Sequence, residues 1–333
     1  MKKVISVIQA AVLTAGLLAG CGAPAKDDAK EANDKVYKVG VTQISDHPSL
    51  DNCREGFIEG LKQEGYEEGK NLEIEFQSAQ DVPAAATQIA QNFASVGKDL
   101  VCGIATPSAQ ALYTVCYEKK IPVIFNAVSD PVEAKLAVSE TEAMDGITGV
   151  SDALPVADQL KLIREILPEA KKIGILYTTS EANSVSTLAT YKKLAGEYGF
   201  EIVETGVGSK AEIPQAADIL VSKVDCISNM TDNSVVAALS VVLEKANAAG
   251  IPVFGSEEEQ VKNGCVASAG LDYFTLGIQA GKMAAEVLGG KQVSDIPYET
   301  LKESKLTVNP TAAAALNIQI PESVIEAAET VGA

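Results

Sequence analysis

Lys38-Val39-Gly40-Val41 and Lys172-Ile173-Gly174-Ile175 open two stretches of sequence that follow one plan. Each tetrapeptide leads through a polar turn into an amphipathic segment. Glu64-Gly65-Tyr66 follows in the first stretch and Glu197-Tyr198-Gly199 in the second, and then comes an acidic β-rich segment. Further on, Thr106-Pro107-Ser108-Ala109 leads to Ile121-Pro122-Val123-Ile124, and Thr231-Asp232-Asn233-Ser234 leads to Ile251-Pro252-Val253-Phe254. The parallel placement of Gly and Ile-Pro-Val predicts two copies of one folding unit.

Within the first copy, Val36–Ile44, Leu72–Phe76, Leu100–Ile104 and Pro122–Phe125 read as buried strands. Leu50–Glu64, Pro83–Ser95 and Ser108–Glu118 read as the helices between them. The second copy gives strands at Lys172–Tyr177, Glu201–Glu204, Asp225–Asn229 and Pro252–Phe254, with helices at Val185–Tyr198, Ile213–Val221 and Val235–Ala248. Strand–helix alternation means parallel sheet with right-handed crossovers. The expected fold is therefore α/β, two doubly wound parallel-sheet lobes joined by a hinge.

Ligands of such sheets bind beyond the carboxyl ends of the strands, and two lobes can bring those ends face to face across a cleft. The loops at those ends hold the candidate site. The first copy supplies Ser45-Asp46-His47-Pro48-Ser49, Thr106-Pro107-Ser108 and Ser129-Asp130-Pro131. The second supplies Ser180-Glu181-Ala182-Asn183-Ser184, Thr231-Asp232-Asn233-Ser234 and Gly255-Ser256-Glu257. Thr106 reads as an N-cap with Pro107 at the first helical position. Free N–H groups at helix starts suit a carboxylate, and neighbouring side-chain carboxylates suit an ammonium group. Both together suit a zwitterion such as an amino acid. Any one of these residues alone caps a helix as readily as it binds a ligand.

Composition narrows the partners. Twenty-seven Lys and Arg against 45 Asp and Glu give a formal charge of −18 over 333 residues. Such a chain repels phosphate backbones, and with no Trp and 5% aromatics it lacks a base-stacking surface, so no nucleic-acid partner is expected. His47 is the sole histidine, and no GxSxG, P-loop or GxGxxG motif occurs, so an enzyme is not expected, nor a cofactor. Cys53, Cys102, Cys116, Cys226 and Cys265 form no CxxC pair and read as buried small hydrophobes, not metal ligands. Glu257-Glu258-Glu259 reads as a solvated helix start, and Gly264–Gly270 as a close backbone approach or hinge.

The N-terminus reads as an address. Lys2 and Lys3 precede an uncharged apolar run, Val4 to Gly20, in the pattern of an export signal over residues 1–20. Leu18-Ala19-Gly20-Cys21 resembles the bacterial lipobox, which would make Cys21 the lipidated first residue of the mature chain. The small and charged residues from 21 to 35 then form a flexible tether of at most about 50 Å. The expected location is the extracytoplasmic face of the cell membrane, held by lipid.

The longer motifs resemble a known family. VGVTQISDHPSLDNCREGFIEGL (39–61), IATPSAQAL (104–112), VSDPV (128–132), TGVSD (148–152), TTSEANSV (178–185), TDNSVVAAL (231–239), GSEEE (255–259), GLDYFTLGIQAG (270–281) and the tail KLTVNP…IPESVIEAA are similar to ABC-transporter substrate-binding lipoproteins assigned to tryptophan or tyrosine. The resemblance implies the type 1 periplasmic-binding fold and a monomeric receptor that delivers an aromatic amino acid to a membrane permease. Such folds cross three times between lobes. That implies lobe 1 at 36–151 plus about 272–300, and lobe 2 at 152–271 plus about 301–333.

Carried over by motif, Thr106 and Ser108 would hold the ligand carboxylate, and Asp232, with Thr231 and Asn233, the ammonium. Asn183 and Ser184 would close from the second lobe. Phe125, Tyr177, Phe254 and Tyr273, the last beside Asp272, would sandwich the ring. Ser45, His47, Asp130, Ser256 and Glu257 complete the candidate set. The rival readings are a receptor for another small solute and, in a different class, a surface adhesin on the same scaffold.

Overall fold

The computed structural model describes residues 35–301 and 303–332. The expected signal, the lipidation site Cys21 and nearly all of the tether lie outside the described residues. The first lobe begins with β1 (Tyr37–Gln43), α1 (Pro48–Gln63), β2 (Leu72–Ser78), α2 (Pro83–Val96), β3 (Leu100–Ile104), α3 (Thr106–Cys116), β4 (Val123–Asn126) and β5 (Ile147–Ser151). The second holds α4 (Val156–Ile166), β6 (Lys172–Thr178), α5 (Ala182–Leu194), β7 (Glu201–Val207), α6 (Ile213–Val221) and β8 (Cys226–Ser228). It continues with α7 (Asn233–Val236), α8 (Leu239–Ala248), β9 (Val253–Phe254), α9 (Glu258–Lys262) and β10 (Ala267–Gly270). The chain ends with α10 (Tyr273–Leu288), β11 (Glu299–Thr300), β12 (Lys305–Val308), α11 (Pro310–Ala315), α12 (Glu322–Ala327) and β13 (Glu329–Thr330).

Two separate parallel sheets result. One has the order β11-β5-β4-β3-β1-β2, and the other β7-β6-β8-β9. A third, β10-β12-β13, lies beside β9, tied by Val266 N–H to the Val253 carbonyl at 2.7 Å and Gly255 N–H to the Ala267 carbonyl at 2.9 Å. The chain crosses between lobes after β5, again between β10 and α10, and finally between β11, which pairs with β5, and β12, which pairs with β10.

The repeated tetrapeptide has a packing reason. A Cβ on Gly40 would come within 2.7 Å of the Phe93 ring of α2, and one on Gly174 within 3.0 Å of Leu220 Cγ of α6. In both copies glycine in the first strand lets the second crossover helix, the one after the second strand, press on the sheet. Further hydrogen bonds recur position for position. Asp99 Oδ2 accepts from Lys38 N–H at 2.7 Å, and Asp225 Oδ2 from Lys172 N–H at 2.8 Å. The Pro122 carbonyl accepts from Val101 N–H, and the Pro252 carbonyl from Ile227 N–H.

Helices cover both faces of each sheet, so β3, β4 and β5 are buried throughout. Phe57, Phe93 and Phe125 anchor the first core, and Tyr191 and Phe254 the second. All five cysteines within the described residues are buried and unpaired. Among the described residues no helix is long and apolar enough to cross a membrane.

One contact governs the cleft. α1 and α10 pack through four glycines: Cβ atoms at Gly56, Gly60, Gly277 and Gly281 would fall 2.1–2.3 Å from backbone carbonyl oxygens of the facing helix. Helix axes approach this closely only where side chains are missing. The pair brings the start of α1, with His47 and Ser49, beside the start of α10, with Tyr273.

Candidate functional site

A narrow cavity of about 10 Å³ lies between the lobes, at the carboxyl ends of the strands. That is about the room of one water, so a larger molecule enters only when the lobes part. The first lobe contributes His47, Ser49, Leu50, Ala105, Thr106, Ala127, Ser129 and Tyr273, and the crossing after β5 contributes Asp152. The second contributes Asn183, Thr231, Asn233, Val236, Glu257 and Gln260.

Thr106 and Thr231 therefore face one space, as the two-copy reading requires. Hydrogen bonds cross between the lobes around it. Ser49 Oγ donates to Glu257 Oε1 at 2.9 Å, Ser186 Oγ to Asp130 Oδ2 at 2.5 Å, and Lys210 Nζ pairs with Asp81 at 3.2 Å.

One wall is a helix start. The structure puts Ala105, not Thr106, at the N-cap of α3; Thr106 is the first helical residue and Pro107 the second. Ala105 has φ 69° and offers no capping side chain, so the first N–H groups of α3 stay available to a ligand. Thr106 Oγ1 and Ser108 Oγ are buried with no partner among the described residues. Ala127, at the end of β4, also has a positive φ of 57°. These two left-handed alanines line the same cavity, and such backbone costs about 1 kcal/mol or more per residue.

The opposite character comes from carboxylates. Asp152, Glu181, Asp232 and Glu257 are all buried around the cleft. None of the four ion-pairs with a Lys or Arg of the described residues. Burial raises the pKa of Asp152, against hydrogen bonds from Tyr273 Oη at 2.6 Å and Ser129 Oγ at 2.9 Å. Burial pushes Glu257 up to about 7 despite donation from Ser49 and from the N–H groups of Glu259 and Gln260. Glu181 is likewise raised to about 7, by burial first and by the charge of Asp232 second.

Of the candidates from sequence, His47, Thr106, Asn183, Thr231, Asn233, Glu257 and Tyr273 line the cavity. The others sit elsewhere. Asp232 turns inward: its carboxylate accepts from Thr178 N–H at 2.5 Å, Thr178 Oγ1 at 2.9 Å, Ser184 Oγ at 2.7 Å and Val235 N–H at 2.9 Å. It caps α7 and holds Ser184 with it. Phe125 and Phe254 are enclosed in the two cores, because their strands are covered on both faces. Tyr177 packs half-buried against the second core.

Ser256 pairs with Gln260, and Asp272 caps α10 through Thr275 N–H. Asp130 bonds across the lobes to Ser186 without lining the cavity, and Ser45 and Ser108 are buried behind the lining. Glu257 is not the solvated start expected of its acidic run, being 2% exposed at the N-cap of α9. Gly270 is a close approach, since a Cβ there would meet the Ser256 carbonyl at 2.1 Å.

Sequence reasoning named Ser49 and Ser129 only as members of the candidate loops and missed Leu50, Ala105, Ala127, Asp152, Val236 and Gln260. Asp152 carried the clearest signal, an acid directly after a buried strand, in the loop where the chain first leaves its lobe.

A cleft between duplicated α/β lobes, walled by a helix start and buried acids, defines a two-lobed solute-binding protein. The chain matches the family model described as ABC transporter substrate binding protein over residues 38–332, and it belongs to that family. These are binding proteins, not enzymes; they work outside the cytoplasm together with a membrane permease.

The chain is 41% identical over 323 residues to the tyrosine-binding protein of Clostridioides difficile (strain R20291), covering 96% of this chain and 93% of that one. A domain crystallised with L-Trp from Streptococcus pneumoniae is 34% identical, with a TM-score of 0.86 over 89% of this chain and 100% of that one. The ligand-free, open structure of a Clostridium difficile substrate binding protein with adhesive properties is 38% identical, with a TM-score of 0.68 over 89% and 99%.

Proposed function

We propose that the protein is the receptor of an ABC importer for an aromatic amino acid, held at the outer membrane face by lipid on Cys21 and acting as a monomer. One observation carries the reading: the cavity joins an uncapped helix start, with the unpartnered Thr106 hydroxyl, to buried carboxylates that lack a cation. A zwitterion supplies both missing charges at once.

The carboxylate sits at the first turn of α3, against Thr106. The ammonium meets Asp152, whose two oxygens each take only one hydroxyl and keep lone pairs for a cation. The ring lies toward Leu50 and Val236. The tyrosine-binding relative and the L-Trp-bound neighbour support an aromatic side chain.

Binding operates by closure. A ligand that touches both lobes favours the closed form because only that form gives it all its contacts. The better agreement with the L-Trp-bound neighbour than with the open one, despite lower identity to the former, supports reading the present arrangement as closed. A melting-temperature screen of the twenty amino acids tests the proposal. A ligand at 100 times its Kd adds about 2.7 kcal/mol of stability, and silence from Tyr, Trp and Phe alike would reject it.

The adhesive properties named for the open neighbour favour a second role on the same scaffold, surface adhesion by the acidic outer faces. Comparing the adhesion of cells with and without the protein decides it.

A further inference from the structure

We propose that His47 determines specificity by hydrogen-bonding the polar atom of the aromatic ring, a phenol hydroxyl or a ring N–H, so that a plain phenyl side chain is rejected. The inference deepens the receptor reading and rests on it.

His47 stands immediately before α1 and is 9% exposed. Neither Nδ1 nor Nε2 has a partner among the described residues. Its neighbours in the lining are committed elsewhere. Gln260 Nε2 donates to Ser256 Oγ, and its Oε1 accepts from Asn229 Nδ2 and Ser256 N–H. Glu257 receives Ser49 and two backbone N–H groups. Leu50 and Val236 give a ring apolar surface but no means of telling one ring from another.

The position within the cavity also fits. His47, Ser49, Val236, Glu257 and Gln260 line both the cavity and an adjoining crevice, while Thr106, Ser129, Asp152 and Tyr273 line the cavity alone. His47 thus sits at the end away from the groups assigned to the amino and carboxyl functions.

Burial holds the imidazole neutral, lowering its pKa to about 4 against the opposing charge of Asp81, Asp51 and Asp46 and with help from Lys210. A neutral imidazole has one N–H donor and one acceptor nitrogen. It can therefore serve a phenol, which donates and accepts, or an indole, which only donates. In an open cleft its nitrogens are hydrated. Closure over a phenyl ring strips that water and returns nothing, and a buried polar group left unpaired opposes closure.

Calorimetric titration of the purified protein with L-Tyr, L-Trp and L-Phe tests this, using wild type, His47→Phe and His47→Gln. Wild type should favour L-Tyr or L-Trp over L-Phe by about ten- to a hundredfold. His47→Phe should erase that gap by weakening the polar-ring ligands while leaving L-Phe as tight or tighter. His47→Gln, with a donor and an acceptor, should keep part of it and serves alone if His47→Phe fails to fold. Equal losses for all ligands, or an unchanged gap, would reduce His47 to packing and leave the receptor reading standing. Binding of none of the three by wild type would overturn both.

Discussion

Ser49 Oγ on the first lobe donates a 2.9 Å hydrogen bond to Glu257 Oε1 on the second, in a cleft where Glu257 is buried with no cation beside it. Closure therefore buries an acid that an open cleft would hydrate. With a folded pKa of about 7 against 4.5 in the unfolded chain, Glu257 keeps its proton in the native state while the unfolded state loses it. Its contribution to stability is complete below about pH 4.5 and is lost as pH rises to about 7.

Glu257→Gln should thus gain stability relative to wild type as pH rises through that window, by an amount on the order of 3 kcal/mol. Urea denaturation at several pH values checks it. His47, with its lowered pKa, acts in the opposite sense, losing stability as pH falls from 6.5 to about 4. Comparison with the single variant isolates Glu257. A difference independent of pH would mean that its carboxyl is solvated.

Asp152→Asn should weaken ligand binding by about thirtyfold or more, since truncating one partner of a buried charge pair costs about 2–5 kcal/mol. Without ligand the variant should melt at or above the wild-type temperature, because it removes an uncompensated buried charge. Titration calorimetry with L-tyrosine reads the first effect and differential scanning calorimetry the second. Unchanged affinity would move the ammonium site elsewhere.

Asp232→Ala should act on the fold. It removes four acceptor contacts, one of them the cap of α7, and strands buried donors on Thr178 and Ser184. A loss of about 2–4 kcal/mol is expected in urea denaturation. Intact stability with abolished binding would instead make Asp232 a ligand contact.

Gly277→Ala should loosen α1 against α10, because the new methyl would sit 2.2 Å from the Cys53 carbonyl oxygen. Backbone cannot rotate away as a side chain does, so the cost should reach or exceed the roughly 1–3 kcal/mol of ordinary overpacking. Binding should weaken too, since α1 carries Ser49 and follows directly on His47. A variant with wild-type melting temperature and affinity would show that the two helices can separate freely.

Much of the fold was legible because its causes are local. Gly40 and Gly174, Asp99 and Asp225, and Pro122 and Pro252 each do in one lobe what the partner does in the other, and they recur in the sequence at matching places. The site was legible only as a set of loops. An Asp before a helix reads the same whether it caps that helix or faces a ligand, and only the tertiary neighbours Thr178 and Ser184 turn Asp232 inward.

Phe125 and Phe254 stand near strand ends, where a rim or a core position is equally open to an aromatic; coverage of both sheet faces decided for the core. His47 before Pro48 resembled a solvated turn, and the acidic run from Glu257 a solvated helix start. The apposition of the lobes buries both residues, and apposition leaves no mark on local sequence.

A crystal structure of the protein grown with L-tyrosine tests the central claim most directly. The account predicts one molecule between the lobes, its carboxylate within hydrogen-bond distance of the first turn of α3 at Thr106 and its ammonium on Asp152. A ligand bound outside this cleft, or lying in it with its charged groups turned toward Leu50 and Val236, would contradict it.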